Sequence, residues 1–147
     1  MDDDCLIRPA IGADLDDVAA IEQEVFPDPW SRALLAEHLR DVFLVAVVRD
    51  AVVGFLIARA ADDEAEVLNL AVRPDVRRRH AGTRLLETAL GVLLGAGVRQ
   101  VFLEVRPSNS AARLFYEGMG FTPVGRRRAY YRLPTEDALV LARPLPG

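Results

Sequence analysis

The chain has 147 residues, of which 51% are hydrophobic and 27% charged, with a formal net charge of −4 and one cysteine. That length and balance predict a single globular domain over residues 1–147 and exclude a disordered chain. With no partner for Cys5, no Cys/His array at zinc spacing, only strand-sized apolar runs and an acidic balance, the reading is a cytoplasmic protein with no metal, no membrane span and no direct nucleic-acid binding.

Residues 6–10 read as a first strand, followed by a helix from Asp14, a residue type suited to the N-cap. Leu15, Val18, Ile21 and Val25 recur at helical spacing on one face of it. Two prolines in FPDPWS (residues 26–31) break that helix, and Ser31 can cap a second, short one through about Leu39. The apolar runs at residues 42–48 and 52–60 flank Arg49-Asp50-Ala51 as a hairpin, and a polar turn at 62–65 leads to a third long strand at 66–72. These three strands predict an antiparallel meander. A helix marked by Leu86, Ala89, Leu90 and Leu93 ends near Gly95 and Gly97, and its position between two strands favours a parallel crossover to the strand at 101–105. Ser108 or Asn109 caps a further helix running to Gly118–Gly120, and strands around 122–132 and 137–143 close an α+β order.

Two segments carry chemistry. Residues 68–86 run a strand through an arginine-rich loop that delivers Gly82 to the start of a helix, where backbone N–H groups without intrahelical partners form a cradle for a diphosphate. Arg77, Arg78 and Arg79 add positive charge at its rim. All 18 basic residues are arginines, so every basic contact is a planar fork suited to phosphate or carboxylate. In residues 103–121 a strand ends in Glu104 and a helix carries Tyr116, so the pair of segments points to a phosphate-bearing cofactor delivered to an acid and a base.

The strand–loop–helix at 66–95, the strand–helix at 101–118, and the segments FPDPWS, LEVRPSNSAARLFYEGMGF (103–121) and RRRAYY (126–131) followed by EDALVLARPL (136–145) resemble, in order and spacing, the GNAT superfamily of N-acetyltransferases. Within it they resemble the RimI-type branch, which acetylates the N-terminal alanine of a small-subunit ribosomal protein. The resemblance covers essentially the whole chain and implies the GNAT fold: a mixed, mostly antiparallel sheet of about six or seven strands flanked by about four helices, splayed in a V between strands 4 and 5.

It also implies acetyl-CoA as cosubstrate, no metal, a protein N-terminus as acceptor and direct transfer in a ternary complex, with a monomer favoured. A bulged strand would place Leu70, Ala71 and Val72 along the thioester. The loop pattern Arg/Gln-x-x-Gly-x-Gly/Ala falls on Arg77 to Gly82, with Ala81 and Thr83 beside the second glycine and His80 in place of the first. His80 either obstructs the phosphate, adds an imidazole contact to it, or is a tolerated loop residue. Asn109 matches the residue that bonds the pantetheine arm, a role compatible with capping.

Glu104 matches the branch's general base and Tyr116 its general acid. An α-amine titrates at roughly 7.7–8.0, so one carboxylate suffices to deprotonate it, and a phenol can protonate the departing thiolate. Trp30, Tyr130 and Tyr131 would border the acceptor groove. Two other readings stand beside this one: the same fold acetylating a small-molecule amine or a lysine side chain, and a degenerate CoA-sensing or partner-binding module.

Overall fold

The computed structural model describes residues 5–146, with the side chains of Arg77, Arg78 and Arg79 outside the described set. Seven strands and four α-helices follow in the predicted order: β1 (Cys5–Pro9), α1 (Leu15–Val25), α2 (Arg32–Glu37), β2 (Val42–Val48), β3 (Ala51–Ala61), β4 (Glu64–Val72), α3 (Ala81–Gly95), β5 (Gln100–Val105), α4 (Ser110–Gly118), β6 (Thr122–Tyr131) and β7 (Glu136–Pro144). They form one mixed sheet in the order β1-β2-β3-β4-β5-β7-β6, antiparallel except for β4 against β5.

Apolar runs become central strands because both faces of the sheet are covered. Residues Val52–Ala58 of β3 are buried without interruption. On one face α3 sets Leu85, Leu86, Ala89 and Leu93 against Leu44, Leu56 and Leu103. On the other, Leu15, Val18 and Ile21 of α1 and Leu35 of α2 pack on Phe43, Phe55 and Ile57. Each such fully buried side chain contributes about 1.5–3 kcal/mol relative to exposure.

Local geometry refines several expectations. The β2–β3 hairpin turns on Arg49 and Asp50 alone, both at positive φ (52° and 66°), so Ala51 already belongs to β3. Asp14 stands at the N-cap of α1, but its side chain does not cap the helix. Its carboxylate accepts from Ile11 N at 2.8 Å and takes a two-pronged contact from the Arg8 guanidinium at 2.8 and 2.9 Å. Ser31 does cap α2, its Oγ accepting from Leu34 N at 3.1 Å. After α4, Gly120 turns at φ +91° and Phe121 N returns to Tyr116 O at 3.0 Å, which buries the Phe121 ring.

Two irregularities in β4 open the sheet near its middle. Its parallel ladder with β5 covers only Glu64–Val67 against Gln100–Leu103, and beyond it the strands diverge. The predicted splay between the fourth and fifth strands is therefore present. In the β3–β4 register Asn69 pairs with Ile57 and Val67 with Ala58, which leaves Leu68 as a bulge at the point where the splay begins.

Candidate active site

The splay opens into a cavity of about 530 Å³. Its floor is the bulged part of β4 and the end of β5, one wall is the α1–α2 loop, another is α4, and the end of β6 with the loop after it forms the last. Trp30, Leu70, Glu104, Asn109, Tyr116, Tyr130 and Tyr131, singled out on separate segments, all line it. Ala71 and Val72 do not line it. Ala71 is buried on the α1 side of the sheet, and Val72 packs on the α3 side.

Glu104 lies on the partly exposed face of β5 by strand alternation, between buried Leu103 and Val105. Its side chain keeps only 9% exposure, and its Oε2 accepts from Arg127 Nη1 at 2.8 Å. Arg127 in turn stacks its guanidinium over the Tyr130 ring at 4.2 Å. Tyr116 is held in α4 by edge contacts with Phe115 and Phe121, at centroid distances of 5.2 and 5.8 Å. Burial pushes its phenol well above the ordinary tyrosine value, so it is a neutral O–H donor at working pH. Tyr131, also in the cavity wall, is raised chiefly by burial and secondarily by the Glu104 charge.

Three carboxylates that the motifs did not single out complete the surroundings. Glu22, on α1, is 2% exposed; its two oxygens accept from Trp30 N at 2.9 Å and Asn69 Nδ2 at 2.7 Å, tying the loop of one wall to the bulged strand of the floor. Burial outweighs those bonds and raises its proton affinity. Glu66, on β4, lines the cavity with Glu104, and its carboxyl is raised by burial first and by that neighbour second. Asp28 accepts from Arg132 Nη2 at 3.1 Å, closing the α1–α2 loop onto the loop after β6. Buried acids among apolar neighbours are the signal that would have found Glu22, since a carboxylate on the core face of a helix needs bonded partners.

The acidic pair after β6 has structural duties. Glu136 accepts from Ser108 N and Ser108 Oγ, each at 2.8 Å, and from Arg106, which also donates to Pro134 O and Arg132 O at 2.7 and 2.6 Å. Asp137 accepts from Ala129 N at 2.8 Å and Arg126 at 3.3 Å. Together these bonds hold the β6–β7 hairpin against the β5–α4 loop and keep Tyr130 and Tyr131 at the cavity.

The predicted anion cradle lies against α4, the helix that forms one wall of the cavity. His80, at φ 59° and ψ 21°, turns the chain into α3 in the left-handed region that histidine tolerates better than most residues. The first intrahelical donor is Arg84, whose N–H reaches His80 O at 3.0 Å, so the N–H groups of Ala81, Gly82 and Thr83 have no intrahelical acceptor. A Cβ on Gly82 would sit 3.7 Å from the Phe115 ring, which places this helix start directly beside α4. Asn109 caps α4, its Oδ1 accepting from Ala112 N at 3.1 Å, and faces the cavity from there. A diphosphate at the α3 start and an extended arm running along β4 past Asn109 match this donor set. Arg77, Arg78 and Arg79, expected at the rim, have side chains outside the described residues. Among the described residues no group of His, Cys, Asp and Glu is arranged to hold a metal ion, and no helix is long and apolar enough to cross a membrane.

Residues 15–121 match the acetyltransferase (GNAT) family. The chain is 38% identical over 131 residues to the [ribosomal protein bS18]-alanine N-acetyltransferase of Salmonella typhimurium, covering 85% of this chain and 87% of that protein. Among solved structures, the ribosomal-protein-S18-alanine N-acetyltransferase from Escherichia coli superposes with a TM-score of 0.88 at 34% identity, over 97% of this chain and 96% of that one. Ard1 from Thermoplasma volcanium superposes with a TM-score of 0.93 at 28% identity, over 98% and 99% of the two chains.

Proposed function

The chain belongs to the acetyltransferase (GNAT) family, and from that premise we propose that it transfers the acetyl group of acetyl-CoA to the N-terminal amine, preferably of alanine, of a protein such as a small-subunit ribosomal protein. The observation that carries the reading is the convergence of Glu104 and Tyr116 on one cavity whose floor leads along β4 to the open start of α3. When bound there, acetyl-CoA supplies an activated acyl group.

The protein's own residues do the rest. N–H groups of Ala81, Gly82 and Thr83, aided by the helix dipole and by Arg77, Arg78 and Arg79, receive the diphosphate. The His80 turn supports a working loop over a degenerate one, because its backbone already adopts the positive φ that the pattern's first glycine would supply. Asn109 and the strand edge at Leu70, Ala71 and Val72 align the arm. Trp30, Tyr130 and Tyr131 exclude water around the acceptor and confine it to an extended entry.

Glu104 accepts the ammonium proton, which leaves a neutral amine to attack the carbonyl carbon. The Tyr116 phenol, in the wall of the same cavity, would meet the sulfur of a bound acetyl-CoA. Burial that raises the phenol also raises a thiolate beside it, so a hydrogen bond from Tyr116 offsets the developing charge and would deliver a proton as the C–S bond breaks, the proton shed by the acylated nitrogen returning the phenol to its neutral form.

Acetyl-CoA supplied with alanine-initiated peptides, with the same peptides blocked at the α-amine and with a panel of free amines tests the proposal. Acetylation of the free α-amine, located by mass spectrometry and abolished by blocking, is expected. Turnover that persists on a blocked peptide bearing lysine overturns the N-terminal assignment.

A further inference from the structure

Trp30, the one tryptophan of the chain, stands in the cavity wall on the loop between α1 and α2. Pro27 and Pro29 narrow the backbone torsions of that loop, and Glu22 Oε2 accepts from Trp30 N at 2.9 Å. Neither restrains the indole, whose side-chain torsions leave several staggered orientations open. His38, directly after α2, supplies that restraint: its imidazole stacks on the indole with ring centroids 5.0 Å apart and planes inclined by 22°.

The imidazole is itself held at two points by Asp41. His38 Nδ1–H donates to Asp41 Oδ2 at 2.8 Å, and Asp41 N donates to His38 O at 2.9 Å. These bonds fix the plane of the ring and satisfy a polar group that is only 9% exposed. An aliphatic side chain would fill the same volume but would present no flat face to the indole. His38 does not line the cavity, so it meets an acceptor through Trp30 alone.

We propose, resting on the acetyl-transfer reading above, that His38, oriented by Asp41, is a positioning residue that holds the Trp30 ring in one orientation in the cavity wall and so keeps the seat of the acceptor's first side chain small. A firm apolar wall discriminates against an extra methylene by about 10–200-fold. A wall free to turn yields to the larger group. The stack is the part of that discrimination that His38 controls, and an aromatic pair of this kind carries about fivefold of it.

The ratio of kcat/KM for alanine-initiated over leucine-initiated peptides, measured for the wild type, His38→Gln and His38→Phe, tests the assignment. Glutamine keeps an N–H donor for Asp41 and removes the ring, whereas phenylalanine keeps a ring and removes the donor. In His38→Gln the ratio is expected to fall about fivefold, with the KM for the alanine peptide raised and the Kd for CoA unchanged. His38→Phe is expected to recover most of the ratio. A ratio in His38→Gln equal to that of the wild type overturns the assignment, and so does a His38→Phe variant that recovers nothing. Two readouts on the wild type need no variant to fold. Nuclear Overhauser contacts between the His38 and Trp30 ring protons are expected, and their absence rejects the stack. Emission from the single indole is expected to shift on saturation with the alanine peptide, and unchanged emission rejects Trp30 as acceptor wall. A wild type that acetylates no amine sinks the acetyl-transfer reading and this assignment with it, whereas an active wild type whose ratio survives His38→Gln sinks this assignment alone.

Discussion

On the β1–β4 side of the splay the strands are placed by burial, whereas β6, at the far edge of the other side, is placed by charge. Phe43–Ala46 of β2 and Val52–Ala58 of β3 are sealed between helices. Across the splay, β6 is exposed from Thr122 to Tyr130, and its course is set by Arg126 with Asp137, Arg127 with Glu104, and Arg106 with Glu136. Burial is indifferent to moderate changes in salt and pH, while exposed ion pairs are worth little to stability and respond to both. The rigid half therefore carries the bulged strand along which a cosubstrate would lie, and the adjustable half carries the wall that meets the acceptor.

Four measurements probe that contrast. The largest effect is expected for Tyr116→Phe, a buried group within the charged half: turnover falls about a hundredfold with CoA affinity little changed. Equal losses in both would make Tyr116 a packing residue. Next is Gly54→Ala. A Cβ there would lie 2.9 Å from Ala71 O and 3.1 Å from the Val72 side chain, so denaturant unfolding should show a loss of about 1–3 kcal/mol. A loss below about 0.5 kcal/mol would mean that the β3–β4 ladder yields and that burial does not fix it.

Glu136→Gln should raise the KM for the acceptor peptide and leave the melting temperature nearly unmoved. Its carboxyl is held below the ordinary glutamate value by the Ser108 bonds first and by Arg106 after them. A depressed carboxyl stabilises above its unfolded value and loses that contribution as pH falls through its folded one. The wild-type acceptor KM should therefore climb in acid while the variant's stays flat, and a parallel climb in both would detach the hairpin latch from Glu136. Smallest is His80→Gly. The imidazole is exposed and caps nothing, so the Kd for CoA should move less than about threefold, or some 0.6 kcal/mol. A larger tightening would show the ring obstructing the diphosphate, and a larger loosening would show it bound there.

The fold was legible where hydrophobic periodicity decides the structure. β2, β3, α3 and the buried face of α1 lie where alternation and helical spacing put them, because core burial dominates those elements. Cap chemistry was legible at Ser31 and Asn109. At Asp14 the same residue type served another end, since an arginine on the preceding strand competed for its carboxylate. In the site, Glu104, Tyr116, Asn109, Trp30, Tyr130 and Tyr131 were marked by their motifs and meet at one cavity. Glu22, Glu66 and Asn69 went unmarked because their roles depend on long-range registers, between α1 and β4 and between β4 and β5, which no local pattern encodes. Glu136 and Asp137, at the start of the last strand, are bonded partners of Ser108 and Arg126, contacts that only the folded chain brings together.

The buried carboxylate of Glu22 holds two things at once, Trp30 eight residues away in sequence and Asn69 forty-seven away. Perturbing either contact frees the same side chain, so the energetic penalties of disrupting both should fall short of their sum in a double-mutant cycle. Acceptor and cosubstrate would then be sensed by a shared joint, and variants selected to admit a new first residue would carry an unintended change in coenzyme binding.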